Sequence, residues 1–120
     1  MSKYLSILTL SLTLLIIGCE NKQNGAIYRV TTYEFNPEKF DEMIVYAQGM
    51  KDDVLRIEGL NFGHICRTSE NSAIIIAQYV DEEAMKKATP KFKEIMGGMS
   101  QFFTSSPKPV AAEIIWRSHD

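Results

Sequence analysis

Residues 73–80 read AIIIAQYV, apolar at every position but Gln78. A run this short and this rich in Ile reads as a strand, and its lack of alternation means that both of its faces are covered. A chain that carries it must place a layer on each side of a sheet. With 120 residues there is material for one domain, large enough to fold alone but better off with a partner.

The rest of the chain supplies the other elements. Residues 26–35 (AIYRVTTYEF) are β-branched and aromatic and read as a first strand. Asn36-Pro37 starts a helix, because Asn caps free N–H groups and Pro has none to waste. Phe40, Met43, Ile44, Ala47, Val54 and Leu55 fall on one face of it, with Gly49 an interruption that need not end it and Gly59 the stop. Residues 60–68 (LNFGHICRT) alternate as a second strand and pair with 73–80 across the polar turn 69–72. Asp81 caps a second helix, with Glu82 and Glu83 in its first turn. Pro90 predicts a break or kink, after which Phe92, Ile95, Met96, Met99 and Phe103 keep helical spacing. Residues 110–117 (VAAEIIWR) read as the last strand.

The order βαββαβ is the ferredoxin-like α+β arrangement, a four-stranded antiparallel sheet with both helices on one face. Alternation groups Leu60, Phe62, His64, Cys66, Ile75, Ala77, Tyr79, Ala112, Ile114 and Trp116 toward the helices. It leaves Arg29, Thr31, Tyr33, Asn61, Ile65, Arg67, Ile74, Ile76, Gln78, Glu113, Ile115 and Arg117 on the open face. A bulge would swap these sets part-way along a strand. Monomers seldom keep an exposed patch holding Ile65, Ile74, Ile76 and Ile115, so a second copy pressed sheet to sheet is expected.

This order resembles the dimeric α+β barrels, in particular the antibiotic-biosynthesis-monooxygenase-like proteins. The matching segments are Phe35-Asn36-Pro37, Glu58-Gly59-Leu60, residues 77–84 (AQYVDEEA) and Thr89-Pro90-Lys91-Phe92. Together they cover nearly all of residues 26–117. The chain departs from the family in having Ala77 where Glu is common, Tyr79 where Trp is common and Lys91 where His is common. The Asn of strand 1 and the Trp and His of helix 2 that serve haem degradation have no counterparts here.

The N-terminus reads as an address. Lys3 precedes residues 5–17 (LSILTLSLTLLII), thirteen residues without a charge and too short to span a bilayer. Ile16-Ile17-Gly18-Cys19 resembles the lipobox of bacterial lipoproteins. The resemblance implies cleavage after Gly18 and lipidation of Cys19, with several acyl chains forming a stable anchor. The expected organisation is a signal peptide at 1–18, a lipidated tether at 19–25, the dimeric barrel domain at 26–117 and a tail at 118–120. The expected place is the bacterial cell envelope, outside the cytoplasm and held to a membrane through Cys19.

Few residues offer chemistry. His64 is the one histidine inside an element and is either a hydrogen-bonded structural residue or a base. Cys66 reads as a small buried hydrophobe, since no cation shares its face. His64 and Cys66 lack third and fourth partners, so no metal is expected, and no cofactor is implied. The methionines on the helix faces read as core filler, and Trp116 as core or dimer packing. Tyr33 is a weak catalytic candidate beside His64. Arg29, Asn61, Arg67 and Glu113 are ligand-pocket candidates on the expected dimer face. There Glu113 with Arg67 or Arg117 forms a buried ion pair, or an Arg binds an anionic or quinone-like ligand with help from Tyr33 and Asn61.

With 13 Lys and Arg against 15 Asp and Glu, a phosphate-tracking nucleic-acid binder is excluded. Two functions remain. One is a membrane-anchored envelope protein that binds a small molecule or serves a structural role. The other is a cofactor-independent monooxygenase acting on a quinol-like or aromatic substrate.

Overall fold

The computed structural model describes residues 25–119. The signal peptide, Cys19 and nearly all of the tether lie outside the described residues. Strand β1 (Ile27–Glu34) leads through Asn36, whose side chain accepts from the Glu38 amide at 3.1 Å, into a short 3-10 turn (Pro37–Lys39) and helix α1 (Phe40–Gly49). Met50 separates α1 from a one-turn helix α2 (Lys51–Leu55). The interruption at Gly49 therefore divides the helix, and Leu55 is exposed rather than packed on the expected face. Gly59, at φ 82°, turns the chain into β2 (Leu60–Ser69), which pairs with β3 (Ser72–Tyr79).

Asp81 accepts from the Ala84 amide at 2.7 Å and starts α3 (Glu82–Met99). The helix runs through Pro90 without a break. A 3-10 turn (Ser100–Phe102) follows, then β4 (Lys108–Glu113). The sheet order is β2-β3-β1-β4, every neighbour antiparallel, with the helices over one face: a ferredoxin-like α+β fold. Pro109 is tolerated because β4 is an edge strand.

The registers redraw the two faces. Arg29, Thr31 and Tyr33 lie opposite Ala77, Ile75 and Ala73, all of them buried, with Tyr79 beside them. They belong to the helix side, where the sequence alternation had set them on the open one. Either phase of residues 27–34 (IYRVTTYE) mixes polar with apolar residues, so alternation alone does not choose.

In β2 the register shifts between Leu60 and Phe62, making Asn61 the extra residue of a bulge. Beyond it Phe62, His64 and Cys66 pair with Gln78, Ile76 and Ile74 on the open face, while Ile65 and Arg67 pair with Ile75 and Ala73 on the helix side. Cys66 is an exposed free thiol, not a buried hydrophobe. β4 ends at Glu113 because its partner β1 starts at Ile27, directly opposite. Ile115 and Trp116 are then 89% and 77% exposed, not part of the strand or the core.

The core has two parts. Tyr33, Phe35, Met43, Met96, Met99 and Phe102 fill the larger one under α1 and the end of α3. Ala77, Tyr79, Met85 and Ala88 form the smaller one under the start of α3. The methionines are core filler, as their spacing indicated. Gly98 lets the two helices approach: a Cβ there would overlap the Tyr46 hydroxyl.

Candidate site between the sheet and helix α3

A guanidinium occupies the layer between β1 and α3. Arg29 is 6% exposed. Its Nη1 donates to the Tyr79 hydroxyl at 3.1 Å, and its Nη2 to the Thr89 hydroxyl at 2.6 Å and the Met85 carbonyl at 3.2 Å. The Thr89 hydroxyl in turn donates to the Met85 carbonyl at 3.0 Å. The charge sits 4.3 Å from the centre of the Phe92 ring and 5.3 Å from that of Tyr79. Met85, Thr89 and Phe92 present one stripe of α3 at spacings of four and three, so the helix delivers a carbonyl, a hydroxyl and a ring face together.

All of these partners are neutral. Among the described residues no carboxylate comes within ion-pairing distance of Arg29. A buried cation normally has a counter-charge, because desolvation costs several kcal/mol and neutral acceptors offset only part of it. Beside it on the same face, Thr31 is 1% exposed and its hydroxyl oxygen has no hydrogen-bond partner. Burial raises the Tyr79 hydroxyl pKa, and the Arg29 charge opposes the rise. Burial likewise raises that of Tyr33, whose hydroxyl touches the Met43 sulfur at 3.9 Å.

The expected site residues are thus divided. Arg29 and Tyr33 are interior. Arg67 lies at the sheet edge, its guanidinium bound to the carbonyls of Ser69 (3.1 Å) and Glu70 (2.6 Å) and laid over the Phe40 ring at 4.1 Å, so it closes the β2–β3 turn. Glu113 is exposed at the end of β4, so the expected buried ion pair with Arg67 is not formed. Asn61 donates to the Gln78 side chain at 2.8 Å, and Gln78 to the Tyr28 hydroxyl at 2.9 Å, on the open face. His64 is exposed there, its ring 4.9 Å from Phe62.

Tyr79, Thr89 and Phe92 were not among the candidates. The spacing of Met85, Thr89 and Phe92 was visible, but nothing local ties it to a strand that begins at residue 27. Among the described residues no three His, Cys, Asp or Glu side chains gather as a metal site would require. A cleft of about 450 Å³ opens on the neighbouring stripe of α3, floored by Ile57, Val80, Ala84 and Ala88. Lys87 and Lys91 at its rim already face Glu83 and Glu94.

No protein-family model matches the chain, and no curated protein matches it. Solved structures do. A conserved protein of Methanosarcina mazei superposes with TM-score 0.67 at 18% identity, covering 77% of this chain and 95% of its own. SnoaB, a cofactor-independent oxygenase from Streptomyces nogalater, gives 0.66 at 15%, covering 80% and 99%. A monooxygenase from the gene ActVA-Orf6 of Streptomyces coelicolor, solved with the ligand nanaomycin D, gives 0.66 at 16%, covering 83% and 96%. The fold is that of the antibiotic-biosynthesis-monooxygenase-like domains.

Proposed function

We propose that this domain oxidises an aromatic, quinol-like molecule with O₂, the substrate itself supplying the electrons. The observation that carries the reading is the Arg29 guanidinium, enclosed between sheet and helix with only neutral partners. In that setting it favours the ionised form of a hydroxy-aromatic, the form that gives up an electron to O₂. The similarity in fold to a cofactor-independent oxygenase and to a monooxygenase holding nanaomycin D supports an enzyme over a purely binding or structural protein.

For a ring methylene the sequence of steps balances simply. The carbon loses a proton, the anion passes one electron to O₂, and the two radicals join in a C–O bond. The resulting peroxide takes up a proton, its O–O bond breaks, and loss of water leaves a ketone. CH₂ and O₂ become C=O and H₂O. Tyr79, kept protonated by burial, is placed to give a proton to the peroxide.

Anthrone tests the reading, through oxygen uptake and anthraquinone formation. The protein should exceed the rate in buffer, and Arg29→Gln should return it to that rate. A wild-type rate equal to buffer would overturn the proposal.

The same reading places the domain in the bacterial envelope, held to the membrane through lipid on Cys19 beside apolar quinone-like molecules. The support for this is the pattern of residues 5–19. It also pairs two copies through the open sheet face, where Tyr28, Val30, Phe62, Ile74, Ile76 and Val110 leave an apolar surface.

A further inference from the structure

We infer that Arg29 and Thr31 form a seat for one oxyanion, so that the molecule this domain takes is a planar aromatic carrying a single carboxylate or ionised hydroxyl. The inference rests on the reading above and names its substrate class. Two independent observations carry it. Arg29 is a buried cation with no carboxylate near it, and Thr31 is a buried hydroxyl with no partner at all. Each lacks what an oxyanion provides: a negative charge for the first, an acceptor for the second.

They stand at alternate positions of β1, on one face and one pleat apart, roughly 6.7 Å along the strand. The guanidinium lies against the ring faces of Phe92 and Tyr79, which hold its position.

The sheet also provides an approach. The cross-strand neighbours of Arg29 and Thr31 on β4 are Ala111 and Pro109. Both lie on the helix side of the sheet, both are small, and both are exposed, so α3 does not extend over β4.

One net charge is the limit the site sets. The single guanidinium is its only cation: Arg67 is committed to the β2–β3 turn, and Lys87 and Lys91 open onto the cleft on the other stripe of α3. A dianion would bury a charge without a partner.

The test is binding of 1-hydroxy-2-naphthoate, followed by its fluorescence, against its neutral methyl ester, on wild type, Thr31→Val and Arg29→Gln. The wild type should hold the acid at least tenfold more tightly than the ester. Thr31→Val should weaken the acid about tenfold, leave the ester unchanged, and raise the melting temperature of the free protein, since an unpartnered hydroxyl has been removed. Arg29→Gln should abolish the preference for the acid. If the ester alone prefers wild type over Arg29→Gln, the ring hydroxyl is the group seated, and the oxyanion seat stands.

Equal binding of acid and ester by all three proteins overturns the seat. So does a Thr31→Val protein that is folded and binds the acid as wild type does, an arm that holds even where Arg29→Gln fails to fold. Binding is measured without turnover. Selective binding with no oxygen uptake on any substrate therefore sinks the oxygenase reading and leaves the seat. Turnover of anthrone with no selectivity does the reverse.

Discussion

The Thr89 hydroxyl accepts from Arg29 at 2.6 Å while it donates to the Met85 carbonyl at 3.0 Å, so one side chain both orients the guanidinium and closes a turn of α3. Thr89→Val keeps the shape and removes both bonds. It should destabilise the domain by about 1–3 kcal/mol, because a buried donor loses its acceptor. Thr89→Ser should recover most of that. Urea unfolding of the two variants checks it, and equal midpoints would show that the hydroxyl does not hold Arg29.

Gly98 and Tyr46 fix how closely α1 and α3 approach. Gly98→Ala should cost about 1–3 kcal/mol, since the new methyl meets the Tyr46 hydroxyl. Adding Tyr46→Phe should relieve part of the loss. A double-mutant cycle from thermal melts should therefore give a favourable coupling, and strict additivity would contradict the contact.

Tyr33 sets an alkaline limit on stability. Its pKa is raised from 10.0 by burial, so the folded state keeps a proton that the unfolded chain releases. The contribution is complete below pH 10 and is lost as pH rises from there through the folded pKa. Tyr33→Phe should flatten this part of the stability–pH curve. Chemical denaturation between pH 8 and about 11, compared with wild type, reads the difference; parallel curves would contradict it.

The open sheet face should pair two copies. Soluble residues 26–120 should sediment as a dimer at micromolar concentration, and Ile76→Glu, placed opposite His64 at the middle of that face, should yield a folded monomer. A folded wild-type monomer would refute the pairing.

Cys19 should carry lipid. Palmitate labelling in a bacterial host should mark the full chain and be absent from Cys19→Ala. Equal labelling of both would remove the anchor from the account.

The elements were legible because their signals are local. Asn36-Pro37, Gly59 and Asp81 stand at the ends where the chain turns, and each acts on atoms a few residues away. Pro90 signals a break that does not occur, because a helix packed along both parts of the core tolerates one missing bond. The site was not legible because it is not local. Burying Arg29 is unfavourable until a tyrosine 50 residues later and a carbonyl and a hydroxyl 56 and 60 residues later supply its acceptors. Charge alone argued for the surface. The length of β4 was hidden for the same reason: Ile114 to Trp116 have strand composition, but β1 has no residue left to pair with them.

The bulge at Asn61 makes the side of the sheet on which His64 and Cys66 lie a matter of register, not of their chemistry. Deleting Asn61 would leave every later residue of β2 opposite its present partner, with His64 and Cys66 still facing outward. Drawing Asn61 into the ladder instead would slip β2 by one residue against β3, sending His64 and Cys66 under the helices and Ile65 and Arg67 to the opposite surface. A substitution at any of these four positions changes a single contact, whereas a slip of one residue exchanges all of them at once.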